Sequence, residues 1–169
     1  MNKLVNFVGF QVCWFACVLG AAHELEWLGP LSVALWSIYA VRVAPKPKRE
    51  ALALLAVGVL GALVGVAELG LGWLSFRGAP IAPGLAPAWI LALWVVFAST
   101  FESSLAWVTS RPWLNVAFAL FGAPVSYLGG ERLGSLEVLA PRTSALIGVG
   151  VLWAVALPLA ALVYRRVRS

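Results

Sequence analysis

The chain has 169 residues, of which 62% are apolar and 11% charged, and its mean hydropathy is +0.94. Soluble domains are about a quarter charged, so this balance excludes a water-soluble globule. Twelve basic against seven acidic residues give a net charge of +5, but the basic side chains sit at the ends of apolar runs. That placement speaks for membrane topology and anionic headgroups, and against a nucleic-acid surface.

Six apolar segments separate at charge and Pro/Gly punctuation, at about residues 3–22, 27–43, 51–75, 87–108, 113–130 and 143–164. Each approaches the roughly 20 residues a span requires. The expected fold is therefore all-α, a polytopic transmembrane bundle of about six helices forming a single domain over residues 1–169. The first segment resembles a signal peptide in that Lys3 precedes an apolar stretch ending in Gly20, Ala21 and Ala22. Asn6 and Gln11 interrupt it, so a retained first helix is expected. Cys13 and Cys17, one turn apart in that helix, indicate small packing residues and neither a disulfide framework nor a metal knuckle.

The second segment ends at Pro45, Lys46, Pro47, Lys48 and Arg49, and the third runs into Arg77, Gly78 and Pro80. Pro83, Gly84 and Pro87 mark the longest loop. Pro112 suits the first turn of the fifth helix, which closes at Gly129, Gly130, Glu131 and Arg132. Arg165, Arg166 and Arg168 close the last. With the N-terminus inside, nine basic residues fall on the cytoplasmic side and only Arg77, Arg132 and Arg142 on the other. Cytoplasmic loops retain Lys and Arg, so both ends are expected inside, in the bacterial inner membrane.

Small residues at helical spacing mark packing faces. Gly58, Gly61, Gly65, Glu68 and Gly72 share one face of the third helix, and Asn115, Ala119, Gly122, Ser126 and Gly129 one face of the fifth. Glu68 is thus expected to point into the bundle, since a carboxylate facing acyl chains costs several kcal/mol. It lies about 24 Å along a helix entering from inside, near the outer boundary. Glu102 descends about as far along a helix starting outside, so the two acids occupy opposite leaflets and cannot form a catalytic dyad of roughly 5–10 Å.

The same depth arithmetic predicts two polar layers. The outer one holds His23, Glu24, Glu68, Ser126, Tyr127, Glu131 and Arg132, with Glu68, Tyr127, Ser126, Arg132 and His23 as candidate ligand-binding residues. The inner one holds Asn6, Gln11, Ser99, Glu102, Ser103 and Asn115, with Gln11, Glu102 and Asn115 as its candidates. For Glu102 a bond to Asn115 or a pair with Arg111 is expected. Among nine tryptophans, most form interfacial belts, while Trp14 and Trp94, with Trp153, lie deeper and are expected to line an apolar cavity. A single histidine with scattered glutamates makes no metal site, and no motif names a cofactor or a reaction.

Three stretches carry a resemblance: "NFVGFQVCWFACVLG" at residues 6–20, "FASTFESSLAW" at 97–107 and "GAPVSYLGGERLG" at 122–134. Through them the chain resembles an uncharacterised family of bacterial inner-membrane proteins, a domain of unknown function with six helices in about 170 residues. The resemblance implies a gene neighbourhood of fatty-acid-modifying enzymes, and hence work on membrane acyl chains.

The leading expectation is a protein, not itself an enzyme, that binds or moves a lipid or other apolar small molecule, beside membrane lipids and a membrane-enzyme partner. A second reading is the substrate-binding subunit of a vitamin-type transporter, with a transporter partner. A third is an intramembrane enzyme using a buried Glu.

Overall fold

The computed structural model describes residues 1–139 and 141–169. Among them are seven helices and one two-stranded sheet. α1 (Lys3–Ala22) opens on Asn2, whose side chain accepts from the free amides of Leu4 and Val5. α2 (Leu28–Arg42) follows a short turn. α3 (Pro47–Gly70) and α6 (Pro112–Arg132) each begin with proline, whose missing N–H costs nothing in a first turn. Between these two lie α4 (Ala88–Ala98) and the single turn α5 (Ala106–Thr109), and α7 (Arg142–Arg168) closes the fold.

Two segments depart from the boundaries expected from hydropathy. The third does not run to residue 75: α3 stops at Gly70 and the chain becomes strand β1 (Leu74–Phe76). The cause is Gly72, held at φ +67°, where only glycine is unstrained. Its amide bonds the Leu69 carbonyl and the Trp73 amide bonds that of Glu68, which is a Schellman stop. α6 ends identically: Gly134 at φ +85° bonds Glu131 and Ser135 bonds Gly130, and strand β2 (Leu136–Val138) follows. β1 and β2 pair antiparallel with Leu74 opposite Val138 and Phe76 opposite Leu136, joining the ends of α3 and α6.

The fourth segment is not one helix. α4 ends at Ala98, residues 99–105 form consecutive turns, and α5 resumes at Ala106. Every carbonyl of residues 96–101 still accepts a hydrogen bond, from turn amides, from Ser99, Thr100 and Thr109 hydroxyls, and from Asn6. Such satisfaction is what lets irregular backbone exist away from water.

α3 packs against α4 and α7, α6 against α7, and α1 against α2 and α4. Three helical glycines serve as sockets for tryptophan rings. A Cβ at Gly9 would fall 2.1 Å from Trp36, one at Gly61 2.0 Å from Trp94, and one at Gly148 2.4 Å from Trp73. Backbone approaches backbone at Gly150, which lies over the Leu120 carbonyl, left without its helical donor because Pro124 has no N–H. Leu52, Leu55, Val59 and Leu63 stand exposed on α3 away from the glycine face. α1, α3 and α7 are long and apolar enough to cross a membrane, which fits a membrane protein.

Candidate functional site

α1 and α6 barely meet, and between them, backed by α4 and α7, lies a cavity of about 510 Å³. Its walls follow from helical spacing. Phe7, Phe10, Gln11, Trp14 and Val18 repeat at three or four residues along α1; Phe118, Gly122, Ser126 and Gly130 do so along α6. At 1.5 Å per residue these rows make a slot about 16–18 Å long. α4 supplies Trp89, Trp94 and Phe97 to the back wall, and α7 supplies Trp153. The Trp14 ring spans the gap to α6, 3.8 Å from where a Gly129 Cβ would lie.

The floor is the interrupted segment, through Thr100, Ser104 and Leu105. Asn6 pins it. Its amide donates to the Ser99 carbonyl at 3.1 Å, and its oxygen accepts from the Ser104 amide at 3.2 Å and hydroxyl at 2.6 Å. Asn6 is wholly buried, so these three bonds satisfy it without water.

At the level of the α3 end, Glu68 is 0% exposed, on the face its spacing with Gly61 and Gly65 requires. The Tyr127 hydroxyl lies 2.9 Å from both its carboxylate oxygens, and Trp153 Nε1 donates to one of them at 3.0 Å. Trp94 stacks on Trp153 with centroids 4.4 Å apart, and Phe76 of β1 and Tyr127 approach at 6.4 Å. Glu68 does not itself line the cavity; Tyr127 and Trp153 stand between. Among the described residues no cation pairs with Glu68.

Of the other outer candidates, Ser126 lines the cavity while His23 and Arg132 are exposed and stand outside it. Arg132 lies seven residues beyond Val125, which is 67% exposed, and so shares its outward face. Glu131 pairs with Arg142. The inner candidates are not gathered. Gln11 lines the cavity, Asn115 is buried on α6 with Oδ1 unpartnered among the described residues, and Glu102 is exposed. Glu102 pairs with neither Asn115 nor Arg111 but with Arg168, because the helix break turns it toward the end of α7.

That end holds a cluster the sequence does not announce. Glu50, 4% exposed, accepts from the Tyr164 hydroxyl at 2.6 Å and from Arg168 Nε at 2.6 Å. Lys46 and Arg165 hold neighbouring carbonyls, of Ser169 and Thr109. Glu50 reads as a loop charge in sequence, and only the i, i+4 pair Tyr164 and Arg168 hints at a partner.

The arrangement offers an aromatic slot with uncharged polar groups at its floor and mouth, and a carboxylate one hydrogen bond behind its wall. Among the described residues no group of three His, Cys, Asp or Glu is placed to hold a metal ion. No curated protein and no solved structure matches the chain. The model of one family, described as "Protein of unknown function (DUF2878)", matches residues 3–159, and the chain belongs to that family.

Proposed function

We propose that this is a multi-pass protein of the bacterial inner membrane, with six crossings and both ends cytoplasmic, that binds or moves a lipid or other apolar small molecule. The observation that carries this reading is the aromatic slot between α1 and α6. Its volume lies within the range of small-molecule sites, and its polar groups are few. The basic asymmetry of the sequence supports the orientation. α4 alone, about 16 Å long, falls short of a roughly 30 Å hydrocarbon core. The hydrogen-bonded turns at 99–105 and α5 complete that crossing.

Lipidomics of gently purified protein tests the proposal. A lipid or apolar molecule enriched over bulk membrane in the wild type, and lost in Gly122→Leu, is the expected result. Gly122 lines the slot, and a Cβ there meets only Phe118, at 3.7 Å, so the larger side chain fills space and spares packing. Absence of any enriched species, with an unchanged lipid profile in a deletion strain, sinks it.

A further inference from the structure

We infer that the slot is built for an apolar molecule carrying a protonated amine. This rests on the reading above of the slot as a ligand site, and it deepens that reading by naming the head group. Three observations carry it.

The first is which hydrogen-bonding capacity remains free. Tyr127 has one hydroxyl proton, aimed at the Glu68 carboxylate, and the single Trp153 N–H is also spent on Glu68. Toward the slot Tyr127 therefore offers lone pairs only. A ligand head that meets Tyr127 Oη has to donate. A phosphate or carboxylate head finds no free donor on Tyr127 or Trp153, whereas an ammonium can donate to Tyr127 Oη.

The second is charge. Both Glu68 oxygens lie within hydrogen-bond distance of Tyr127 or Trp153, and no described lysine, arginine or histidine pairs with the carboxyl group. Every residue lining the slot is itself uncharged. A buried intramembrane acid carries its charge only where a partner offsets it. An ammonium bonded to Tyr127 Oη would be the missing counter-charge, separated from the carboxylate by one hydroxyl.

The third is the surrounding surface. Trp89, Trp94, Trp153 and Tyr127 enclose this end of the slot, with Trp14 and Phe97 alongside. Aromatic faces attract cations, most strongly where water is excluded. They repel anions for the same reason. The length of the slot below accommodates the apolar body of the ligand.

The test is a fluorescence titration of the purified full chain at pH 7 in neutral maltoside micelles, read from the slot tryptophans, with octylamine, octanol and octanoate as probes. An alkyl amine is protonated at this pH, as a lysine is. Octylamine is expected to bind at least tenfold more tightly than either other probe. In Glu68→Gln its affinity is expected to fall to within about twofold of octanol, whose own binding stays unchanged. The ranking on wild-type protein stands by itself should that variant fail to fold. Equal affinities for the three heads, or preference for octanoate, overturn the amine assignment; if Gly122→Leu then weakens all three, the slot remains a ligand site. Saturable binding of none of them, or binding that Gly122→Leu leaves untouched, overturns both.

Discussion

Trp94 fills the space in front of Gly61 so closely that a Cβ there would come within 2.0 Å of its Cγ. Trp94 is also the ring that stacks on Trp153, the indole donor to Glu68. Gly61→Ala should therefore displace the stack and destabilise the protein by about 1–3 kcal/mol, the usual cost of overpacking. Gly70, with nothing within 4 Å, is the control. Gly70→Ala should leave stability unchanged or raise it by up to about 1 kcal/mol. Thermal unfolding in detergent, followed by tryptophan emission, separates the two; equal effects would mean that the ring is free to move aside.

Tyr127→Phe removes the hydroxyl from Glu68 and leaves Trp153 as its one described donor. Leaving a buried polar group under-satisfied costs about 1–3 kcal/mol. With Glu68→Gln as the second change, a double-mutant cycle should give a coupling of about 1 kcal/mol or more. Strict additivity would show that the contact contributes nothing.

Asn6→Leu should cost about 2–3 kcal/mol, since one side chain supplies three bonds to the turn at 99–105. Hydrogen exchange should report more than a global loss. The amide of Ser104 is expected to lose protection first, and unchanged protection there would contradict the pinning role.

Arg168→Ala strips a buried glutamate of its cation. Arg168 is 26% and Glu50 6% exposed at the side chain, so the expected cost is about 2–3 kcal/mol, below that of a fully buried pair. Glu50→Gln in the same chain should recover much of it, because no buried charge is then left unpaired and Glu102 is solvated. Failure of that rescue would place the defect elsewhere, in the Tyr164 contact or the Glu102 pair.

Acid should act at the end of the molecule that carries the strand pair. Glu131 lies just beyond the apolar stretch, and its bonds to Arg142, and then to the Val138 amide, hold its carboxyl below the usual range. A depressed folded value means that the stabilisation is complete above the unfolded carboxylate range, roughly pH 4.3, and is lost as pH falls through the lower folded value. Melting temperature should decline over that interval, and Glu131→Gln should flatten the decline. The pair is substantially solvated, so the effect is modest and weakens with salt.

The sequence carries helix content and the inward aspect of Glu68 because both follow from spacing within one segment. Glycine at 58, 61 and 65 identifies a face, and Glu68 falls on it. The stops at Gly72 and Gly134 are not read from sequence, where Gly72 falls on the packing face of the third helix and the fifth closes at Gly129, Gly130, Glu131 and Arg132. Relations between segments are a different matter. Trp153 lies 85 residues from Glu68, and nothing in either stretch states which helices are neighbours. The break after Ala98 carries no proline or glycine, because Asn6, in another helix, satisfies part of the interrupted backbone. Glu102 was placed by assuming an unbroken helix, so its partner was missed with it.

Because α3 and α6 finish in the same kind of stop and pass straight into paired strands, the strand pair sets a common zero from which height along both helices is counted. Glu68 stands six residues before Leu74, and Tyr127 eleven before Val138, and those two strand residues face each other. The contact between acid and phenol is thereby indexed to a backbone ladder and not to the long 77–87 connection. Length changes in that connection leave the count intact, whereas one residue added to the helical turn between Glu68 and Gly70 rotates the carboxylate by about 100° relative to the strands.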